Sequence, residues 1–289
     1  MRIMTSNIWG DYFGNPPRGR DENLLTVYAR YSPDVIGFQE VTRAWYESAL
    51  FEKLSEGYYF LGTECIDSKN AVPMAVKKEF SLLAKGFEYL EGTPDESKAI
   101  TWGVVEKDGK RFALCNTHFW WMKGGESEET KRHHGVLSWS AEDHHGLRAK
   151  NAEQLSRLMQ YLHARYLCPV FAFGDMNAPI YASIFEVFAQ NGIRKLFDLA
   201  KERDTAATIH GDPQRTESGA YRGKEAAADY LARVGRKMGV PEGLTEGYHF
   251  SIDHIVGLGD DLTVCAYRVI RDREALDATD HSPVFADIL

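Results

Sequence analysis

Short apolar runs recur from one end of the chain to the other: "RIMTSNIW", "DVIGFQE", "YYFLGTE", "AVPMAVK", "ITWGVVE", "RFALCNTH", "CPVFAFGD", "SIDHIVGL", "LTVCAYRVI" and "PVFADIL". They are rich in β-branched and aromatic residues and bounded by Gly, Pro or Asp, the pattern of strands. Lys107-Asp108-Gly109-Lys110 separates two of them and predicts a hairpin in which Gly109 takes positive φ. Helical spacing is rarer. "LRAKNAEQLSRLMQYLHARY" sets Ala152, Leu155, Met159 and Leu162 on one face. "ENLLTVYARYS" and "RAWYESALFEKLSE" flank the second strand, and "ASIFEVFAQNG" stops at Asn191-Gly192. "KEAAADYLARVGRKMG" reads as another helix in a more polar region. Strands outnumber helices and run to both ends, so the pattern predicts one mixed α/β domain over residues 1–289.

The polar residues fall at strand ends. Asn7 closes the first strand, Glu40 the second and His118 "RFALCNTH"; Asp175 and Asn177 follow "CPVFAFG", Asp253 lies in "SIDHI", and Asp280-His281 precede the last strand. Strands that finish repeatedly in carboxylate, amide or imidazole predict a shared rim, where α/β folds gather their ligands. Glu40, Asp280 and Asn7 offer hard oxygen ligands, which suit Mg²⁺ or Mn²⁺ better than zinc. Asp175 and Asn177 are two apart, so an extended chain points both the same way. One orients a water while the other donates to a phosphate oxygen. Asp280 beside His281 suits an orienting pair or a general acid/base. Each type also has a structural use: Asn satisfies turns, and Glu40 reads equally as a first-turn acid of the following helix.

Bulk properties narrow this picture. The 289 residues are 44% hydrophobic and 26% charged, the balance of an ordinary globular protein. No apolar run approaches the ~20 residues of a membrane helix, and the N-terminus lacks a signal's apolar stretch, so a cytoplasmic protein without membrane insertion, and a monomer, are expected. The four cysteines are far apart with no C-x-x-C spacing, which predicts reduced, buried thiols. A net charge of −8 argues against a broad basic surface for nucleic acid. The conspicuous segment is "RHHGVLSWSAEDHHGLR", with His133, His134, His144 and His145. It has no cysteine and no H-x₃₋₅-H spacing, so a zinc site there lacks support.

The segments "TSNIWG", "PDVIGFQEV", "FALCNTHF", "LRAKNAEQL", "FGDMNAP", "SIDHIV" and "TDHSPV", in this order from residue 5 to residue 284, resemble the endonuclease/exonuclease/phosphatase superfamily of metal-dependent phosphohydrolases. The resemblance implies a four-layer sandwich of the pancreatic-DNase type: two mixed sheets face to face, helices outside, and a divalent-cation site, Mg²⁺ or Mn²⁺, at the rim. It implies Glu40 as principal metal ligand, with Asn7 and Asp280 completing the site. It implies Asp175 as the residue that orients or deprotonates water, Asn177 as a holder of water or phosphate, and His118 as a phosphate contact. His281 would stabilise the pentacovalent transition state, with Asp253 fixing its tautomer. His254, alternating with Asp253, reads as packing, His163 as a surface residue, and Arg148 as supporting rather than catalytic.

Departures from the family bear on substrate. Lys98, in "DESKAITW", stands where an arginine is frequent, and lysine gives a point charge without the fork. Val76 stands where relatives often place a phosphate contact. Two long connections, at about 119–146 and 205–248, read as insertions placed to wall the cleft. Trp120, Trp121, His133, His134, His144, His145 and Arg148 from the first, and His210 and Tyr248 from the second, are candidate substrate contacts. The tryptophans alternatively pin the insertions to the body. The family's common activities predict a phosphodiesterase or nuclease; the alternative is a phosphomonoesterase for a small sugar or inositol phosphate. A binding scaffold without activity is disfavoured because every catalytic residue type is present.

Overall fold

The computed structural model describes residues 1–11, 14–63, 72–94, 98–210 and 251–289. Two mixed sheets carry the fold. The seven-stranded sheet contains β1 (Arg2–Asn7), β2 (Val35–Gln39), β3 (Tyr58–Leu61), β4 (Met74–Lys77), β10 (Ala200–Arg203), β12 (Val264–Val269) and β13 (Val284–Ile288), in the order β10-β12-β13-β1-β2-β4-β3. The six-stranded sheet contains β5 (Ser81–Tyr89), β6 (Ala99–Lys107), β7 (Lys110–His118), β8 (Val170–Asp175), β9 (Arg194–Lys195) and β11 (Asp253–Leu258), in the order β5-β6-β7-β8-β11-β9. The helices are α1 (Arg20–Tyr31), α2 (Arg43–Tyr46), α3 (Ala49–Gly57), α4 (Glu128–His133), α5 (Ala141–Tyr166), α6 (Ile184–Gln190), α7 (Leu196–Leu199) and α8 (Arg273–Ala278). Among the described residues no helix is long and apolar enough to cross a membrane.

Strand alternation builds the layers. Ile3, Val35, Val76, Leu114, Phe171 and Phe173 face inward and share one core between the sheets. Their neighbours Met4, Ile36, Phe38 and Ala75 face outward under α1, with Leu24 and Val27. Cys115, Val170 and Ala172 turn the other way, onto Ala152, Leu155, Met159 and Leu162 of α5. Helix, sheet, sheet, helix is the four-layer sandwich expected from the sequence. At ~1.5–3 kcal/mol for each large apolar side chain, this triple burial dominates the stability.

Local chemistry explains the element boundaries. Asp108 (φ 52°) and Gly109 (φ 71°) both take left-handed backbone, the two-residue hairpin turn that matches strand twist. The helix read from Leu147 starts earlier, at Ala141, because Ser140 and Asp143 form a reciprocal capping box. His144 and His145 therefore lie within its first two turns. The single helix read over "RAWYESALFEKLSE" is two, α2 and α3. The sequence pattern predicts no strand over β5, an edge strand whose residues are largely exposed. Val76 is fully buried between the sheets and pairs with Val35, at the far end of β2 from Glu40. No phosphate contact arises from it. The helix read over "KEAAADYLARVGRKMG", most of the second insertion and Tyr248 lie outside the described residues. Cys115 and Cys168 are buried free thiols and Cys265 is a half-buried one.

Candidate active site

The sheets bring the strand-end residues together. Asn7 pairs with Gln39 across β1 and β2, while His118 and Asp253 both pair with Asp175 across β7, β8 and β11. Gly174 permits this convergence: a Cβ there would lie 1.9 Å from the Thr117 carbonyl oxygen, and its φ is 150°. Any other residue at 174 would push β7 from β8 and separate His118 from Asp175.

Three non-glycine residues around the rim hold left-handed backbone: Trp9 (φ 53°), Glu40 (φ 61°) and Asn177 (φ 48°). Such conformations cost of order 1–3 kcal/mol each and persist only where surroundings fix them. Here the fixings are visible. The Asn7 side-chain oxygen accepts from Trp9 N (3.0 Å), Glu40 Oε2 from Gly10 N (3.2 Å), and Asp175 Oδ1 from Asn177 N (2.9 Å). Below Glu40, Gln39 Nε2 donates to Asn116 Oδ1 at 2.6 Å. Asn116 Nδ2 in turn donates to the carbonyls of Phe38 (2.8 Å), Val72 (3.0 Å) and Pro73 (2.9 Å), tying the two sheets beneath the site.

Asp175 is the centre. Its Oδ2 accepts from Asn7 Nδ2 at 3.0 Å and lies 3.5 Å from His118 Nε2 and 3.9 Å from His281 Nε2. Asn7 Nδ2 also donates to Glu40 Oε1 (3.2 Å), and Asn177 Nδ2 to the Phe119 carbonyl (3.1 Å). Burial raises the Asp175 pKa and Asp253 raises it further, against His281. Burial and Glu40 push Asp280 up to about 6, while His281 opposes the shift.

The two histidines have opposite states. Burial disfavours a charge on His281, but the carboxylates of Asp253, Asp280 and Asp175 outweigh it and hold the ring protonated, its pKa well above the ordinary value. Its Nδ1 donates to Asp253 Oδ2 at 2.8 Å. His118 is driven well below the ordinary value by burial, then by Lys98 and His281. Its approach to Asp175 is therefore not an ion pair. Lys98 Nζ donates to His118 Nε2 at 2.9 Å, which leaves the ring proton on Nδ1.

The donor set suits a hard divalent cation. Glu40, His118 and Asp175 offer ligand atoms within 4.8 Å of one another; Asp175, Asp253 and His281 are grouped as closely, but the charged His281 has no lone pair to give a metal. Buried carboxyls with raised pKa values, crowded at one rim, are a set that a cation neutralises. Neither group includes a histidine of the His-rich segment.

That segment folds on itself. Trp120, Met122, Val136 and Leu147 form a small core, with Trp121 and Trp139 packed against it. His144 is buried, stacked on Trp120, and accepts from Trp120 Nε1 at 3.0 Å. Arg148 is buried too and donates to the carbonyls of Met122 (2.6 Å) and Trp120 (3.3 Å) and to His145 Nδ1 (2.9 Å). His133 and His145 are exposed, while His134 and Trp121 are half-buried with their rings edge to face. His210 comes to the rim by its backbone, donating to the Asp280 carbonyl at 3.1 Å. His254 is buried with its Nε2 at the Ala178 carbonyl (2.9 Å), and His163 Nδ1 meets the Cys168 carbonyl (2.8 Å), closing the end of α5 rather than standing free on its surface. Sequence reasoning missed Gln39 and Asn116, Thr208, whose Oγ1 accepts from the Asp253 amide at 3.3 Å, and Arg20, which donates to the Ile8 and Trp9 carbonyls, because a polar residue inside a strand or loop carries no signal of burial.

A two-sheet sandwich with an acid-rich rim fed by both sheets defines a class of phosphoester-processing folds. The chain belongs to the Endonuclease/Exonuclease/phosphatase family, whose model matches residues 4–281. No curated protein matches by sequence. Among solved structures, an endonuclease/exonuclease/phosphatase from Bacteroides vulgatus is 19% identical with a TM-score of 0.69, covering 100% of this chain and 98% of that one. The mannosyl-6-phosphatase of Bacteroides thetaiotaomicron is 16% identical with a TM-score of 0.66, covering 100% and 99%. TDP2 from C. elegans is 15% identical with a TM-score of 0.65, covering 100% and 74%. At these identities the likeness is one of fold.

Proposed function

We propose that this protein hydrolyses phosphoesters by in-line attack of water, with Mg²⁺ or Mn²⁺ held by Glu40, Asp280 and Asn7. One observation carries the reading: a buried carboxylate, Asp175, takes the Asn177 amide on Oδ1 and gathers Asn7, His118 and His281 around Oδ2. When bound, the cation polarises the phosphoryl group and offsets its developing charge. Asp175, its pKa raised by burial, takes the water proton. Its orientation is set by Asn7 Nδ2 and the Asn177 amide. His281, kept charged and fixed in tautomer by Asp253, presents Nε2–H to the nonbridging oxygens as charge accumulates. His118 stays neutral and positions the Lys98 ammonium beside the phosphate.

Of the two ester classes the sequence raised, we place a small organic monoester ahead of a nucleic acid. The buried Lys98, its Nζ on His118 Nε2, is a cationic group suited to a terminal dianionic phosphate, and the net charge of −8 disfavours a polyanion. The mannosyl-6-phosphatase among the similar folds is consistent with this order. Of the first insertion's candidate residues, Trp121, His133, His134 and His145 are the side chains with surface to offer a leaving group, whereas Trp120, His144 and Arg148 hold the segment together. The test is a side-by-side assay of aryl phosphate, bis-aryl phosphate, sugar phosphates and single- and double-stranded nucleic acid with Mg²⁺ and Mn²⁺. Hydrolysis abolished by EDTA and restored by either ion is expected, with monoesters fastest. Full activity after chelation and dialysis overturns the metal role. Faster nucleic-acid cleavage overturns the substrate order.

A further inference from the structure

Arg20 opens α1, at the helix end where a cation is electrostatically disfavoured, yet its side chain is only 2% exposed. The guanidinium spreads over four carbonyls. Nε donates to Ala278 O (2.6 Å), Nη1 to Asn15 O (2.8 Å), and Nη2 to both Ile8 O (2.5 Å) and Trp9 O (2.7 Å). The Trp9 and Trp45 rings lie against it, each centroid 4.9 Å from Cζ.

These acceptors come from two segments far apart in sequence. Ile8 and Trp9 directly follow Asn7, and Trp9 is one of the left-handed residues. Ala278 lies just before Thr279 and Asp280, and Thr279 Oγ1 donates to the Asn7 carbonyl at 2.8 Å. We propose that Arg20 is a positioning residue that clamps the Asn7 loop to the Asp280 segment and thereby sets affinity for the divalent cation. The proposal rests on the metal reading given above. A planar five-donor fork matches a fan of four carbonyls, whereas an ammonium offers three donors from a single point. With lysine at this position some of those buried carbonyls lose their donor, and Asn7 and Asp280 lose their fixed separation. A hard cation held by few protein ligands is sensitive to such spacing, and residues supporting metal ligands are typically worth ~10–100-fold in affinity.

The experiment is calorimetric titration of Mn²⁺ into the metal-free full chain, for wild type, Arg20→Lys and Thr279→Val, well below each protein's Tm. Wild type should bind Mn²⁺; Arg20→Lys should bind roughly tenfold or more weakly, and Thr279→Val should be weakened less. At saturating Mn²⁺ the kcat of Arg20→Lys should return to within about threefold of wild type, since the residue does not touch the reacting atoms. A purely structural role would lower Tm while leaving Kd in place. A Kd within twofold of wild type for Arg20→Lys overturns the clamp, as does a kcat that saturating metal fails to restore. Should Arg20→Lys not fold, Arg20→Gln, which keeps a planar donor but cannot span four carbonyls, is judged by the same two Kd outcomes. Absence of Mn²⁺ binding by wild type itself is a different result: it removes the metal reading, not the geometry of the clamp.

Discussion

The rim and the His-rich segment both concentrate polar and aromatic side chains, and they are built on opposite principles. At the rim, buried carboxylates crowd one another, with Asp175 and Asp280 raised in pKa and Glu40 on a left-handed backbone. Those groups are costly to hold together and are kept by hydrogen bonds from both sheets. In the segment, most polar atoms are satisfied locally, the buried Nε2 of His144 being the exception. Ser140 and Asp143 cap α5, Ser127 caps α4, and Glu126 accepts from the amides of Lys123 and Gly124. Strain and crowded, only partly compensated like charge mark a site, while local satisfaction marks a scaffold. Mutations should separate the two regions by readout, activity at the rim and stability in the segment.

Asp175→Asn should have the largest effect. Removing the base while keeping its shape is expected to lower kcat by ~10²–10⁴-fold. Tm should hold or rise, because the substitution deletes a buried charge. Steady-state kinetics and a thermal melt on the same preparation check both, and a kcat near wild type would take Asp175 out of the mechanism. Trp120→Ala is the mirror case. It empties the segment's core and should cost ~3–5 kcal/mol of stability. Activity measured well below Tm should survive. An unchanged Tm would mean that the segment is not built on Trp120.

Much of this contrast was legible in the sequence, for a physical reason. The strand-end acids and amides interrupt apolar alternation, so Asn7, Glu40, His118, Asp175 and Asp253 announce themselves by position. Gln39 and Asn116 do not, because a polar residue within a strand looks half-exposed until both faces are known to be covered. Arg20, in "PPRGR", carries no sequence signal of burial, yet it is buried on four carbonyls. β5 escaped because an edge strand with exposed Leu82 and Leu83 has no apolar face to alternate. In the His-rich segment the missing cysteine and H-x₃₋₅-H spacing already argued against metal, but Trp120, His144 and Arg148, read as candidate substrate contacts, are buried in a small core of their own.

The raised carboxyl of Asp280 gives a subtler test of the rim. Its folded pKa, about 6, lies above the unfolded value near 3.9. The group's contribution to stability is therefore full below about pH 3.9 and is lost as pH rises through about 6. A bound cation reverses that sign by stabilising the ionised form. Melts with and without Mg²⁺ should show a larger metal-induced rise in Tm at pH 7.5 than at pH 5. Asp280→Asn should shrink the difference between the two pH values. An equal rise at both, unchanged in Asp280→Asn, would mean that no cation meets this carboxylate.

The smallest expected effect sharpens the comparison most, because it asks whether the scaffold also touches substrate. Trp121 is half-buried, edge to face with His134, and follows His118 closely in sequence. An aromatic contact with a leaving group is worth ~0.5–1.5 kcal/mol, a change of roughly two- to tenfold. Trp121→Ala should therefore raise KM by that amount for esters with a bulky leaving group and leave kcat in place. For a small alkyl phosphate, with nothing to stack, KM should not move. A change confined to bulky esters makes the segment the wall that selects the leaving group. An equal change for both, accompanied by a lower Tm, would assign Trp121 to the core with Trp120 and confine substrate selection to the rim.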